Sequence, residues 1–135
     1  MTDPAAPGTY APSLADIERL AREAIAELPD LFRKHLAGVR LAIEDFPSEE
    51  VMREMELDSP FDILGLYHGH EVGKSVELSG NLPDSVHLYR RPLIDYWAEH
   101  EESLEHLVRH VLVHEVGHHF GLSDADMHAI EDAAG

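Results

Sequence analysis

Cysteine is absent from the 135-residue chain. That excludes disulfides and thiolate metal sites, so a zinc ion could be held only by histidine and carboxylates. Basic residues are scarce, with 10 Lys and Arg against 27 Asp and Glu and a formal net charge of −17. Nucleic acid and anionic membrane surfaces require a basic footprint, so neither is an expected partner. The acidic surplus reads first as a device for solubility. Long apolar runs are missing too, and no stretch approaches the ~18 residues that mark a membrane span. The N-terminal run MTDPAAPGTYAPS lacks both a basic start and an apolar segment, so no secretory signal is expected. The expectation is a cytoplasmic protein with a single domain and one core.

Histidine, by contrast, is abundant, with 11 in the chain. Residues 114–124 read HEVGHHFGLSD. On a helix, His114 and His118 stand one turn apart on the same face, about 5–6 Å between Cβ atoms. Two imidazoles so placed can reach one Zn²⁺ at about 2.0–2.1 Å. Glu115 lies beside that position rather than on it, where a general base must sit to take a proton from zinc-activated water. The helix supplies no third ligand in the same plane, so the chain has to turn. Gly121 permits the turn because glycine tolerates positive φ, and Asp124 follows as the candidate third ligand. Asp126 competes for that role, although with Ser123 it also forms a helix-starting capping box. His119 is displaced from its neighbours by about 100° around the helix and reads as a supporting or surface residue. In a chain this rich in His and Glu, the bare HExxH has a real chance frequency. The added glycine and aspartate make the eleven-residue version specific.

Along the chain, residues 1–12 carry three prolines and small residues and read as a disordered arm, with 13–135 as the domain. Ser13 is a helix N-cap, and Leu14, Ile17, Leu20, Ala21, Ala24, Ile25 and Leu28 recur at helical spacing. The helix is expected over 13–28, extending through Leu31 and Phe32, with Gly38 as its end. Val39, Leu41 and Ile43 alternate with Arg40, Ala42 and Glu44 as a half-buried strand. A short helix is expected from Pro47 to Leu57 with Val51, Met52 and Met55 inward, and a second strand over 61–67. Three glycines and a proline make 68–84 a loop or hairpin, with a short strand near 75–78. Residues 85–90 form a third strand with Val86 and Leu88 on one face. Short and long helices follow, over 93–100 and from Leu104 through the motif, and a last helix runs from Ser123 to about Asp132. The order predicts an α+β domain, a small mixed sheet of three to four strands packed against the helix that bears the motif.

The eleven-residue motif resembles that of the zincin metallopeptidases, with Asp where the metzincin-type consensus carries a third His. The wider run HEVGHHFGLSDADM, together with VHLYRRPL at 86–93, resembles the small bacterial zincin-like metallopeptidases, compact single domains described as minimal metalloproteases. The likeness covers most of the chain from about Val39 onward. It implies Zn²⁺ on His114, His118 and Asp124, Glu115 as catalytic base, and a peptide or protein substrate, with oligomeric state left open.

Other histidines read as ordinary. His68-Gly69-His70 lies in a glycine-rich stretch without a carboxylate at ligand spacing, and His106 and His110 repeat the i, i+4 interval without an acid or turn, so they read as surface. Tyr67, His87, Tyr89 and Tyr96 are candidates to hydrogen-bond an oxyanion, with nothing in the sequence to choose among them. Three function classes follow: a zinc endopeptidase, a metal-binding interaction module with weak or no catalysis, and a metal-dependent ribonuclease. The last is disfavoured by Glu115 and by the acidic charge. A strand near the site, 85–90 or 75–78, is a candidate to pair with an extended peptide.

Overall fold

The fold is known from a computed structural model, which describes residues 11–69 and 84–134. The chain runs α1 (Leu14–Glu27), α2 (Asp30–Leu36), β1 (Arg40–Glu44), α3 (Glu49–Glu54), β2 (Gly65–His68), β3 (Ser85–Tyr89), α4 (Arg90–Glu99), α5 (Leu104–His119) and α6 (Asp124–Ala134). The expected α+β architecture is present, with a three-stranded mixed sheet of order β1-β3-β2. β1 runs parallel to β3, pairing Leu41 with Val86 and Ile43 with Leu88. β2 runs antiparallel to β3, pairing Tyr67 with Val86 and Gly65 with Leu88.

α1 begins as its sequence predicts. The Ser13 hydroxyl accepts from Asp16 N–H, and Asp16 returns the bond to Ser13 N–H, closing a capping box. Its buried stripe of Ile17, Ala21 and Ala24 packs against α5, and the two alanines let the helix backbones approach closely. The helix expected to continue through Phe32 is broken instead. Pro29 ends it and starts the separate α2, because proline cannot donate an N–H inside a helix but suits a helix start. α3 is shorter than expected, and only Val51 of its three apolar residues is buried, while Met55 is 47% exposed. The second strand is also shorter. Residues 58–64 form turns and bends, with a Ser59–Asp62 side-chain bond holding one of them, so pairing begins only at Gly65. α4 starts at Arg90, earlier than predicted, directly from the end of β3.

The loop expected over 68–84 lies outside the described residues for 70–83, as does the short strand placed near 75–78. Residues 1–10 of the expected arm lie outside them too. Pro12, the arm's last residue, offers its carbonyl to Arg90 Nε at 2.6 Å. No described helix is long and apolar enough to cross a membrane.

The core is built around α5. Leu107, Val108, Leu112, Val113 and Val116 are all at most 2% exposed and join Ile17, Leu88, Leu93 and Met127 in one cluster. Burying each such side chain contributes roughly 1.5–3 kcal/mol, so α5 is anchored along nearly its whole length. β2 reaches that helix only because Gly65 has no side chain. A Cβ there would lie 2.7 Å from Val111 Cγ1 and 2.9 Å from the His87 carbonyl oxygen. The second contact is backbone and cannot rotate away. Gly65→Ala is therefore expected to cost about 1–3 kcal/mol by overpacking, read from the urea midpoint. An unchanged midpoint would show that the sheet and α5 can separate without loss.

Candidate metal centre

The end of α5 and the start of α6 build the site through backbone geometry. Gly121 adopts φ 75°. Leu122 N–H then reaches the Gly117 carbonyl at 2.9 Å and Gly121 N–H reaches His118 at 3.1 Å. This pair of bonds is the Schellman arrangement, which satisfies helix-end carbonyls and reverses the chain. α6 opens at once. Ser123 Oγ accepts from Asp126 N–H at 3.0 Å, and Asp126 Oδ2 accepts from Ser123 N–H at 3.3 Å. Asp126 is thereby occupied as a cap, which leaves Asp124 free to face the motif.

How near α6 returns is set by Gly117, the fourth residue of the motif. A Cβ on Gly117 would lie 2.5 Å from Met127 Sδ and 2.9 Å from its Cγ. Met127 is fully buried, so its thioether occupies the space a side chain at 117 would take. The sequence alone gives Gly117 no role, because a glycine inside a helical pattern does not reveal which neighbour needs the space.

The result is convergence. His114, His118 and Asp124 each present a ligand atom, all within 4.8 Å of one another. The two imidazoles have ring centroids 5.7 Å apart and planes nearly perpendicular. His118 and Asp124 are exposed, while His114 is partly buried. Two nitrogens and one carboxylate oxygen are a donor set that suits zinc. Tetrahedral zinc with bonds of about 2.0–2.1 Å separates its ligands by about 3.3–3.4 Å. The three atoms need to close by no more than about 1.5 Å, which rotation of two exposed side chains supplies.

Glu115 points from the same helix toward β2. Burial raises its carboxyl above the usual range, opposed by the charge of His118 and by a hydrogen bond from Tyr67 N–H. His114 is pushed the other way, chiefly by burial and then by neighbouring His110, so its ring favours the neutral form a metal requires. His119 lies beside the pair rather than with it, stacked on Tyr67 with ring centroids 4.0 Å apart.

The four candidate oxyanion partners separate clearly. Tyr67 adjoins Glu115 through its backbone, but its hydroxyl donates to Asp84 Oδ2 at 2.8 Å. Tyr89 is buried, and burial followed by the charges of Glu44 and Glu115 pushes its phenol up to about 12. His87 is held between Glu44 (2.5 Å to Nδ1) and Ser85 (3.0 Å to Nε2). Tyr96 stacks on His100 at 3.7 Å. His68, expected in a loop, is on β2 with a buried Nε2 lacking a described partner, and His70 lies outside the described residues. β3 is the central strand and both its edges are paired, so it cannot accept a peptide by strand addition.

Two residues near the site were not singled out from the sequence as functional. His110, expected at the surface, binds Glu131 at 2.9 Å, and Glu131 is a buried acid of α6. A signal existed, since Met127, Ile130, Glu131 and Ala134 share helical spacing and place Glu131 on the inner face.

The family described as zincin-like metallopeptidase matches residues 36–134 of the chain. No curated protein matches it.

The raised Glu115 carboxyl makes a stability prediction. A folded-state value above the unfolded one contributes stability that is complete below the ordinary carboxyl range and lost as pH rises through the raised value. Metal-free Glu115→Gln is therefore expected to melt a few degrees above the wild type at about pH 7.5, with the gap closing toward about pH 4. Equal midpoints at both pH values, followed by circular dichroism, would contradict a burial penalty on this group.

Proposed function

The chain belongs to the zincin-like metallopeptidase family, and from that premise we propose that it is a zinc-dependent endopeptidase with His114, His118 and Asp124 as ligands and Glu115 as general base. The observation that carries this reading is the convergence of those three ligand atoms beside a partly buried carboxylate on the same helix. Three protein ligands leave a fourth tetrahedral position open, whereas a structural zinc site closes it with a fourth residue.

When bound there, zinc supplies Lewis acidity that acidifies water and polarises a scissile carbonyl. The chain's own residues do the rest. Glu115 takes the proton from water and returns it to the leaving amine, and its raised carboxyl makes it a stronger base than an exposed glutamate. Tyr67 N–H fixes the orientation of that carboxylate from β2. His114, kept neutral by burial, is ready to ligate without first losing a proton. The exposure of His118 and Asp124 supports a site open to an extended or unfolded chain. That same exposure favours the rival reading, a metal-binding interaction module with weak or no catalysis.

Elemental analysis of purified wild type and Asp124→Ala separates these ideas. About one zinc per chain in the wild type and a sharp reduction in the variant are expected. On a panel of peptides and a casein-type unfolded substrate, Glu115→Ala is expected to retain zinc and to lose at least about a hundredfold in rate. Zinc retained in Asp124→Ala would remove Asp124 from the ligand set. Equal rates for wild type and Glu115→Ala would leave the interaction-module reading.

A further inference from the structure

One helical turn before the motif, α5 carries a second constellation. His106, His110 and His114 lie at i, i+4 spacing, and the rings of His110 and His114 are 4.0 Å apart between centroids. Opposite them, α6 presents Glu131. Its Oε1 is 2.9 Å from His110 Nδ1 and its Oε2 is 3.7 Å from His114 Nε2. The Glu131 side chain is only 9% exposed. Among the described residues, its ion-pairing partners are these two histidines, with no Lys or Arg. A carboxylate withdrawn from water in this way requires a proton or a cation shared with its neighbours.

His110, His114 and Glu131 also offer three ligand atoms within 4.8 Å of one another, as the first constellation does. Two imidazoles and a carboxylate are the same donor set. The position is reached through a cleft of about 370 Å³ lined by His106, Arg109, His110, His128, Glu131 and Asp132. Arg109 opposes a cation there, but its guanidinium is turned toward Glu27 at 3.5 Å. The net charge of −17 attracts divalent cations to the whole molecule.

We propose that His110, His114 and Glu131 form a second divalent-cation site, of the zinc class, that shares His114 with the first and holds a cation in its place. A cation in the upstream position withdraws His114 from the downstream one, so occupancy of the two is exclusive. The upstream site stands on its own residues. Only its competition with the downstream site rests on the peptidase reading.

The test uses full-length chain and zinc sulfate alone. His118→Ala/Asp124→Ala removes two ligands of the downstream site and leaves the upstream three. This double variant is expected to purify with little zinc and, when zinc is added in equilibrium dialysis, to take up about one per chain more weakly than the wild type, with the ring ¹⁵N signals of His110 and His114 shifting on zinc addition. Adding His110→Ala, a half-exposed position whose loss does not open the core, is expected to weaken binding by at least about tenfold. Wild type is expected to hold one zinc tightly and not two. The proposal is overturned by a double variant that binds no zinc up to about 0.1 mM, by His110 signals that stay still, or by equal affinity in the double and triple variants. Two tight zinc ions in the wild type would overturn the sharing of His114. None of these results depends on peptide hydrolysis. Failure of the peptidase reading would appear instead in the comparison of wild type with Glu115→Ala.

Discussion

The distance between α5 and α6 governs everything at the candidate metal centre, and it is set by one contact, Met127 against the missing side chain of Gly117. The thioether sits where a Cβ at 117 would be. Because interiors are close-packed, a methyl group in that place has to displace the buried Met127 side chain or the helix that carries it. Moving α6 would carry away Asp124 at its first turn and Glu131 near its far end together. Both carboxylates that face the α5 histidines therefore rest on the same packing contact. The Schellman turn at Gly121 supplies the reversal, and Met127 supplies the depth.

The core explains why α5 can bear so many polar groups on one side. Its opposite face is buried against α1, α4 and the sheet, and that anchorage holds the histidine-bearing face in place. The site chemistry then follows from uneven burial. Glu115 faces β2, and burial raises its carboxyl, while His114 is kept neutral by the same cause acting on a base. His118 and Asp124 remain exposed. A partly buried carboxylate beside two exposed candidate ligands suits a centre that accepts a metal from solution.

The outer parts of the fold show where local patterns were insufficient. The apolar spacing of α1 and α5 was legible because many turns repeat it, and alternation revealed Val86 and Leu88 on β3. The run 61–67 looked like a strand but contains one only from Gly65 onward, because the Ser59–Asp62 bond holds the preceding residues in a turn. Met55 matched an inward helical position yet is exposed, since α3 is too short to carry a full stripe. His110 and Glu131 looked ordinary because each belongs to a different helix.

Residues close in sequence therefore made the motif readable. Spacing on one helix brings His114 and His118 to one face, the glycine after it implies a turn, and the acid beyond the turn is within reach. The capping role of Asp126 was equally local. What tertiary structure alone decided is the company these residues keep: Tyr67 N–H on Glu115, Met127 under Gly117, and Glu131 between two histidines. Those contacts join segments whose separation along the chain carries no periodic signal, so only the packed core specifies which of them meet.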